Sequence, residues 1–178
     1  MGGFFGIASK QDCMVEVFFG VDYHSHLGIR RAGMAAYDKE IGLQRKIHNV
    51  ENSPFRTKFE NIFEEMQGTS VIGCISDTDP QPLLIRSRIC KYAICIIGRI
   101  NNADELIEKY LSSGGHFNAM TGYNINATEL IAALINKELF LPYPHSVAIR
   151  IFGLSKTSGF WITVAASLGR ILRGYVYG

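Results

Sequence analysis

The densest cluster of ionisable side chains in the sequence is the stretch DYHSHLGIRR, which carries two histidines and two arginines. His24 and His26 are two residues apart, and Arg30 and Arg31 follow shortly after them. Guanidinium groups beside imidazoles are suited to binding an anion. Alternatively, these side chains close a helix, because Gly28 supplies a stop and cations are stabilised at a helix C-terminus. We favour the second interpretation.

A second candidate site is the pair of carboxylates in the stretch ISDTDPQP. Asp77 and Asp79 are spaced to act as an acid/base pair or to bind a cation. The prolines cannot continue a hydrogen-bonded strand, so we favour a solvated turn with side-chain-to-backbone hydrogen bonds. Gly98 ends a later apolar run, and its amide either faces a ligand or belongs to an ordinary strand exit.

Catalytic motifs of defined spacing are missing from the sequence. There is no G-x-x-x-x-G-K-[ST] phosphate loop, and Gly2, Gly3 and Gly6 lack the helix that would hold a pyrophosphate. There is no nucleophile elbow. No CxxC pair or histidine pattern indicates a metal, so we expect neither a metal nor a cofactor. In a chain with no recognisable secretory signal we expect a cytoplasmic location and reduced, mostly buried thiols, at Cys13, Cys74, Cys90 and Cys95.

The composition is that of an ordinary globular domain. The 178 residues are 47% hydrophobic and 19% charged, which excludes a disordered chain and is enough to bury a core. The apolar runs are broken by glycine or charge before they reach membrane-spanning length. The formal net charge is +2, with basic and acidic residues interspersed, so we expect no nucleic-acid partner and no membrane partner.

The pattern of apolar residues predicts an α+β fold with mostly antiparallel strands covered by helices. Runs rich in β-branched and aromatic residues predict neighbouring buried strands over 3–8, 70–76 and 91–98, with later strands over 146–154 and 158–167. Helical stripes predict helices near 12–21, 55–67, 103–112 and 127–138. The first is expected to begin at Asp12 and to bury Val15, Phe18 and Phe19, and the last is expected to be capped near Asn126.

The opening residues MGGFFGIAS also have the character of a buried strand, which is unusual at a chain terminus. Glycines in a strand indicate close approach of backbone to another group. Such a placement suits a catalytic N-terminus, yet Gly2 has no side chain that could do chemistry.

Five segments in order resemble the N-terminal glutaminase domain of amidophosphoribosyltransferases, class II glutamine amidotransferases of the N-terminal-nucleophile (Ntn) hydrolase type. The family's start Met-Cys-Gly-Ile-x-Gly corresponds to residues 1–6, and its H-R-G-Q-x-x-A-G-I-A to 26–35. Its G-H-x-R-Y-x-T and later Q-P correspond to 73–82, its H-N-G-x-L-x-N to 96–102, and its S-D-S-E helix start to 126–129. Their order and spacing make the resemblance more specific than any single motif.

The resemblance implies a four-layer αββα sandwich with two mostly antiparallel sheets, and a role in purine nucleotide biosynthesis. It covers residues 1–141 as an amidotransferase type-2-like domain. Residues 142–178 resemble the family only weakly and are expected to be the remainder of the same domain, in a fragment or with an altered sequence. The implied partner is a phosphoribosyltransferase domain, of the glycosyltransferase class, C-terminal in the same polypeptide. A homo-oligomer is also expected.

Departures from the family pattern fall at the catalytic positions. Active relatives attack the glutamine amide with a cysteine thiol at the position of Gly2 and use the terminal amine as base. The arginine that would hold the glutamine carboxylate is Ser76. The oxyanion-hole asparagine is Ile97, which leaves the amide of Gly98 as the implied donor. We therefore expect a catalytic position without its nucleophile.

The amine-recognition position departs from the pattern as well. The aspartate that would bind the amine of the substrate is Ala127, with Asn126 keeping some polarity beside it. The sequence thus predicts a pseudoenzyme within a transferase family, inactive as a glutaminase. Two alternatives stay open: an active glutamine-hydrolysing amidotransferase, and a non-catalytic module that binds another small ligand such as an amino acid or a nucleotide.

Overall fold

Two antiparallel sheets form the centre of the computed structural model, which describes residues 2–87, 91–118, 120–121, 124–139 and 161–166. The first sheet has the order β1-β4-β2-β3, and its strands are β1 (Gly2–Ala8), β2 (Arg31–Asp38), β3 (Gly42–Asn49) and β4 (Ser70–Ser76). The second has the order β5-β6-β9, with β5 (Leu83–Arg86), β6 (Lys91–Ile97) and β9 (Trp161–Ala166). Two short strands, β7 (Met120–Thr121) and β8 (Asn124–Ile125), pair antiparallel in a separate two-stranded sheet.

Helices cover the outer faces of both sheets. On the first sheet lie α1 (Met14–Tyr23), α2 (Phe55–Lys58) and α3 (Ile62–Glu65), and a 3₁₀ turn (Ser25–Leu27) follows α1. On the second sheet lies α5 (Ala127–Leu139), against which α4 (Ala103–Ser112) packs. In this part of the chain no helix is both long and apolar enough to cross a bilayer.

Strict alternation along the strands divides the core into three clusters. On β4, Val71 and Ile75 pack under α1, whereas Ile72 and Cys74 face the other sheet. On β6, Tyr92, Ile94 and Ile96 pack against α5, and Ala93 and Cys95 face the first sheet. Because successive side chains of a strand point to opposite faces, the result is the predicted order of helices, sheet, sheet and helices. The expected α+β fold with an αββα arrangement is confirmed.

Several predicted elements differ in the structure. The strands β1 and β4 are neighbours as expected, but β6 is paired in the second sheet and packs face to face with them. The helix predicted over 55–67 consists of two four-residue helices, because the chain turns after Phe59 while both pieces still direct apolar residues to one core. Residues 146–154 and Cys90 lie outside the described residues.

The predicted orientation of α1 was partly wrong. Its buried residues are Met14, Val17, Phe18 and Val21, whereas Val15 and Phe19 are exposed. The helix begins after Cys13 without a side-chain cap, because the carboxylate of Asp12 accepts instead a hydrogen bond from the amide of Gly68 at 2.8 Å. Both faces of α1 are apolar, so periodicity alone could not tell which one is buried.

The imidazole of His48 gives the fold a predicted dependence on pH. Its ring packs edge-on against Phe59, with ring centres 4.8 Å apart. Burial, together with Lys46 and Lys58, lowers the pKa of His48 below its ordinary 6.5. The unfolded chain therefore takes up this proton more readily, and the contribution to stability present above about pH 6.5 is lost as the pH falls. Between about pH 7.5 and pH 5.5 we expect the wild-type Tm to fall further than that of a His48→Gln variant. Equal falls would contradict this prediction.

Candidate functional site

The candidate site begins where β1 and β4 end side by side. Gly2 is the register partner of Ser76, and Arg31 of β2 pairs with the same residue from the other side. Ser76 follows Ile72 and Cys74 in the alternation of β4, so its buried side chain is on the face directed at the second sheet. The structure thus places the predicted nucleophile position next to the predicted carboxylate-clamp position.

The end of β6 supplies the opposite wall. Ile97 packs against the cluster between the two sheets, and Gly98 follows it directly. Gly98 has a φ of 155°, a backbone conformation that side-chain-bearing residues rarely adopt, and it is exposed. A residue with a side chain would be strained at this position, whether the amide of Gly98 faces a ligand or belongs to a strand exit.

Gly2 lies close to the side chain of Ile97 across the space between the sheets. A Cβ atom at position 2 would lie 3.1 Å from Cδ1 of Ile97 and would overlap the carbonyl oxygen of Ile75. Position 2 therefore has no room for a side chain unless the backbone shifts, and the side chain of Ile97 stands beside the place where a nucleophile would project. Three of the predicted site residues, Gly2, Ser76 and Ile97, are brought together.

A buried glutamine joins the two halves of this site. Gln81 accepts a hydrogen bond from the amide of Ile96 through Oε1 at 2.6 Å, and its Nε2 donates to Oγ of Ser76 at 3.4 Å. The amide of Thr78 donates to the same Ser76 oxygen at 3.3 Å. From the sequence, Gln81 was identified only as part of the Q-P pair of the family pattern, and no role was predicted for it. Its link to Ile96, a backbone amide 15 residues away, leaves no trace in local sequence.

The loop that carries Gln81 is held against the first sheet. Nη1 of Arg31 donates to the carbonyl of Thr78 at 3.0 Å, and Nη1 of Arg45 donates to the carbonyl of Pro82 at 3.3 Å. Beneath the loop lies Gly33, where a Cβ would overlap the carbonyl oxygen of Gln81. A strand residue without a side chain is required here because the loop backbone lies directly on the sheet.

The carboxylates of this loop are only partly as predicted. Asp77 accepts hydrogen bonds from the amides of Ile29 at 2.7 Å and Arg30 at 3.3 Å, as expected for a turn with side-chain-to-backbone bonds. Asp79 is buried, so the prediction that both are solvated was wrong. The cause is the packing of the loop onto both sheets. In the described residues no group of three or more histidine, cysteine, aspartate or glutamate side chains is arranged to hold a metal.

The histidine and arginine cluster does not form one anion site in its described contacts. Nδ1 of His24 lies 2.7 Å from the carbonyl oxygen of Gly20, which ties the ring to the last turn of α1. Nε of Arg30 lies 3.8 Å from Oε1 of Glu51, whereas Nη1 of Arg31 donates to the carbonyl of Thr78. These contacts favour the helix-closing interpretation for His24 and a loop-anchoring role for Arg31.

The start of α5 has the predicted cap. Oδ1 of Asn126 accepts hydrogen bonds from the amides of Thr128 at 2.8 Å and Glu129 at 3.3 Å. Asn126 is buried and Ala127 is half-buried. The hydroxyl of Thr128 is buried and has no hydrogen-bond partner among the described residues. The described hydrogen bonds of Asn126 are those of the helix cap, and the amine-recognition role of Asn126 and Ala127 stays a prediction.

Two of the described thiols, those of Cys13 and Cys74, are poor nucleophiles. Cys74 and Cys95 form a hydrogen bond between the two sheets, and this bond together with burial raises the pKa of Cys74 well above its ordinary value. Burial, reinforced by Asp12 and Glu16, also raises the pKa of Cys13. Protonated thiols react slowly. These cysteines are free and buried, as predicted for a reduced chain.

A cleft of about 240 Å³ lies on the other face of β4. Its floor includes Ile75 and Phe55, and its rim carries Ser25 and the ion pair of Arg56 with Asp22, whose Nη2 and Oδ2 are 2.7 Å apart. Ser76, Gly2 and Ile97 do not line it, so the cleft and the candidate site are on opposite faces of the first sheet.

Two solved structures are similar to this chain. Glutamine phosphoribosylpyrophosphate (PRPP) amidotransferase from B. subtilis complexed with ADP and GMP matches 86% of this chain at 22% identity with a TM-score of 0.69. The structure of the allosteric regulatory enzyme of purine biosynthesis matches 93% at 20% identity with a TM-score of 0.75. The matched regions make up 33% and 35% of those two chains, so this chain spans about a third of their length. No protein-family model and no curated protein matches.

At these identities the similarity shows a common fold. The chain has the fold of an amidophosphoribosyltransferase-like domain, and the resemblance stated from five sequence segments is confirmed at that level.

Proposed function

We propose that this chain is an amidophosphoribosyltransferase-like glutamine amidotransferase domain, of the purine-biosynthesis type, that does not hydrolyse glutamine. The observation that carries the proposal is the crowding at position 2, where a Cβ would overlap the carbonyl oxygen of Ile75 and lie 3.1 Å from Cδ1 of Ile97. In this arrangement a nucleophile is missing and the space for one is closed.

The pocket positions around Gly2 support the same conclusion. The Ser76 hydroxyl is bonded within its own loop, to Thr78 and Gln81, and has no guanidinium to pair with a substrate carboxylate. Ile97 presents a hydrocarbon where the resemblance implies an oxyanion donor. Removing one oxyanion donor alone lowers a rate by ~10²–10³. The proposed domain therefore binds glutamine weakly and does not activate it.

The same proposal includes the rest of the polypeptide and its location. Strand β9 pairs with β6, which supports residues 142–178 as the remainder of the same domain. The proposed partner is a phosphoribosyltransferase domain encoded downstream, and an intact phosphoribosyltransferase reading frame there would support it. Free buried thiols at the described positions are compatible with the proposed cytoplasmic location.

The direct test is a glutaminase assay on the purified chain. We expect no release of glutamate from glutamine above that of a heat-denatured sample, with an active class II amidotransferase as the positive control. Glutamate release that is abolished by thiol alkylation would contradict the proposal. A Cys74→Ala variant is the matched control, because it would lose that activity only if a core thiol were responsible.

The second candidate, a small-ligand-binding module, rests on the cleft beside Phe55. The test that distinguishes a ligand-binding module from a purely structural domain is the change in Tm on adding glutamine, glutamate or purine nucleotides. A rise in Tm that a bulky Ser25→Trp substitution removes would favour it over a purely structural domain.

A further inference from the structure

The cleft beside Phe55 has an apolar floor whose side chains are fixed by their neighbours. Ile75 is fully buried at its base, and Phe55 is 3% exposed. The ring of Phe55 packs against Phe18, with ring centres 5.2 Å apart, and is stacked on Phe59 at 4.6 Å. Val50 adds a further apolar side chain to the lining. A ligand would therefore meet a hydrocarbon surface that is already in place.

Another part of the lining is backbone held by hydrogen bonds. It includes Gly28 and Ile29, and the amide of Ile29 donates to Oδ1 of Asp77 at 2.7 Å. The amide of Val50 donates to the carbonyl of Arg30 at 2.9 Å, which ties two parts of the lining together. A site that is ordered before binding loses less conformational entropy when a ligand enters it.

The rim carries one negative and one positive charge with unused hydrogen-bonding capacity. Nε and Nη2 of Arg56 both donate to Oδ2 of Asp22, at 2.9 and 2.7 Å. The hydrogen bonds described for this part of the chain use neither Oδ1 of Asp22 nor Nη1 of Arg56. The Asp22 side chain is only 17% exposed, so water has limited access to its second oxygen. A largely buried carboxylate oxygen is stabilised by a donor that a ligand supplies.

The size and the charges of the cleft limit what it can bind. Its volume of about 240 Å³ is below the roughly 300–1,000 Å³ of typical small-molecule sites, which favours a ligand smaller than a nucleotide. A cation without an anionic group would be repelled by Arg56, and an anion without a cationic group by Asp22. A zwitterion with a hydrocarbon side chain complements both the rim and the floor.

We propose that the cleft beside Phe55 binds a free α-amino acid with an aliphatic side chain, of about the size of leucine. Its ammonium group is bound by Asp22, its carboxylate by Arg56, and its side chain packs on Phe55 and Val50. This inference rests on the second candidate function, the small-ligand-binding module, and names its ligand class. It is independent of the glutaminase chemistry, because the cleft and Gly2 are on opposite faces of the first sheet.

The test is a titration of the full chain with L-leucine, followed by NMR chemical shifts. We expect a Kd of about 1 mM, and about 10 mM leucine should raise the Tm by roughly 3–6 °C. Isoamylamine lacks the carboxylate and isocaproate lacks the amine, and each should bind at least about 10-fold more weakly. These analogues test both charges on the wild-type chain, should a variant fail to fold.

Two variants assign the charges to their residues. Asp22→Asn and Arg56→Gln are each expected to weaken leucine binding at least about 10-fold. Asp22→Asn should not weaken isocaproate, and Arg56→Gln should not weaken isoamylamine, because each analogue lacks the group that the changed residue binds. Glu65→Gln is the matched control: it removes the carboxylate from the ion pair with Lys46, outside the cleft, and should leave leucine binding unchanged.

Leucine that causes no chemical-shift change at the cleft would overturn the proposal, and so would leucine binding that both cleft variants leave intact. Glutamine and purine nucleotides, titrated in parallel, separate this failure from that of the ligand-binding module. If one of them binds and leucine does not, the aliphatic amino-acid class is wrong and the module stands. If none of them binds, both are wrong.

Discussion

The triple variant Gly2→Cys, Ser76→Arg, Ile97→Asn is expected to hydrolyse glutamine ~10²–10³ times faster than Gly2→Cys alone, which should stay at background. The single variant adds a thiol at a position where its Cβ is crowded by Ile97 and by the carbonyl of Ile75. The other two changes replace the hydrocarbon of Ile97 by an oxyanion donor and add a carboxylate clamp. Groups that act as a unit are strongly non-additive, so the gain belongs to the combination.

The measurement is steady-state glutamate production, with removal of the initiator methionine confirmed by mass spectrometry. Ser76→Arg with Ile97→Asn, still carrying Gly2, is the matched control and should be inactive. Robust turnover by the single variant would show that the clamp and oxyanion positions are misassigned. A folded triple variant without turnover would contradict the correspondence with the amidotransferase site.

Gly33→Ala is expected to destabilise the fold by about 3 kcal/mol, equivalent to a fall of roughly 6–12 °C in Tm. The added Cβ would overlap the carbonyl oxygen of Gln81 and lie 2.8 Å from Cδ of Pro82. Both neighbours belong to a loop fixed by Arg31, Arg45 and the buried Gln81, so neither can move alone. The loop must lift from the sheet, and the hydrogen bond from the amide of Ile96 to Oε1 of Gln81 is strained with it.

Thermal unfolding followed by circular dichroism checks this prediction. Gly114→Ala is the control, because Gly114 has a φ of 83° with nothing within 4 Å of an added Cβ. It should lose only about 1 kcal/mol, from the backbone conformation alone. A Gly33→Ala variant no less stable than this control would show that the loop is not held against the sheet.

Local sequence patterns predicted where the helices and strands lie better than they predicted which strands pair and which helix faces are buried. The helix over 127–138 and its Asn126 cap were predictable because the stripe and the cap are both local, and α5 confirms them. The placement of β6 was not, since an apolar run does not say which of two sheets it joins. Likewise both faces of α1 satisfy a helical period, and only the tertiary structure selects Val17 over Phe19 for burial.

In the candidate site, too, some residues could be identified from the sequence and others only from the structure. Gly2, Ser76 and Ile97 were identified through segment order, and alternation along β4 and β6 brings them to one space. Gln81 had no such signal, because its function depends on the amide of Ile96. The closure of position 2 by Ile97 required knowledge of the distance between the sheets.

The strand order of the first sheet also determines where a strand of another molecule could pair with this protein and start aggregation. Among the described strands, β1 and β3 are the two edges of that sheet, and each has a partner on one side only. Strand β3 carries Arg45 and Lys46, and charged side chains on an edge oppose pairing with a further strand. Strand β1, with the sequence GGFFGIA, carries no charge. An uncharged edge strand offers its unpaired backbone groups to a strand of another chain. Aggregation on storage or heating should therefore begin at the N-terminal strand, and a lysine in place of half-buried Phe4 or Ile7 would trade core packing for colloidal stability.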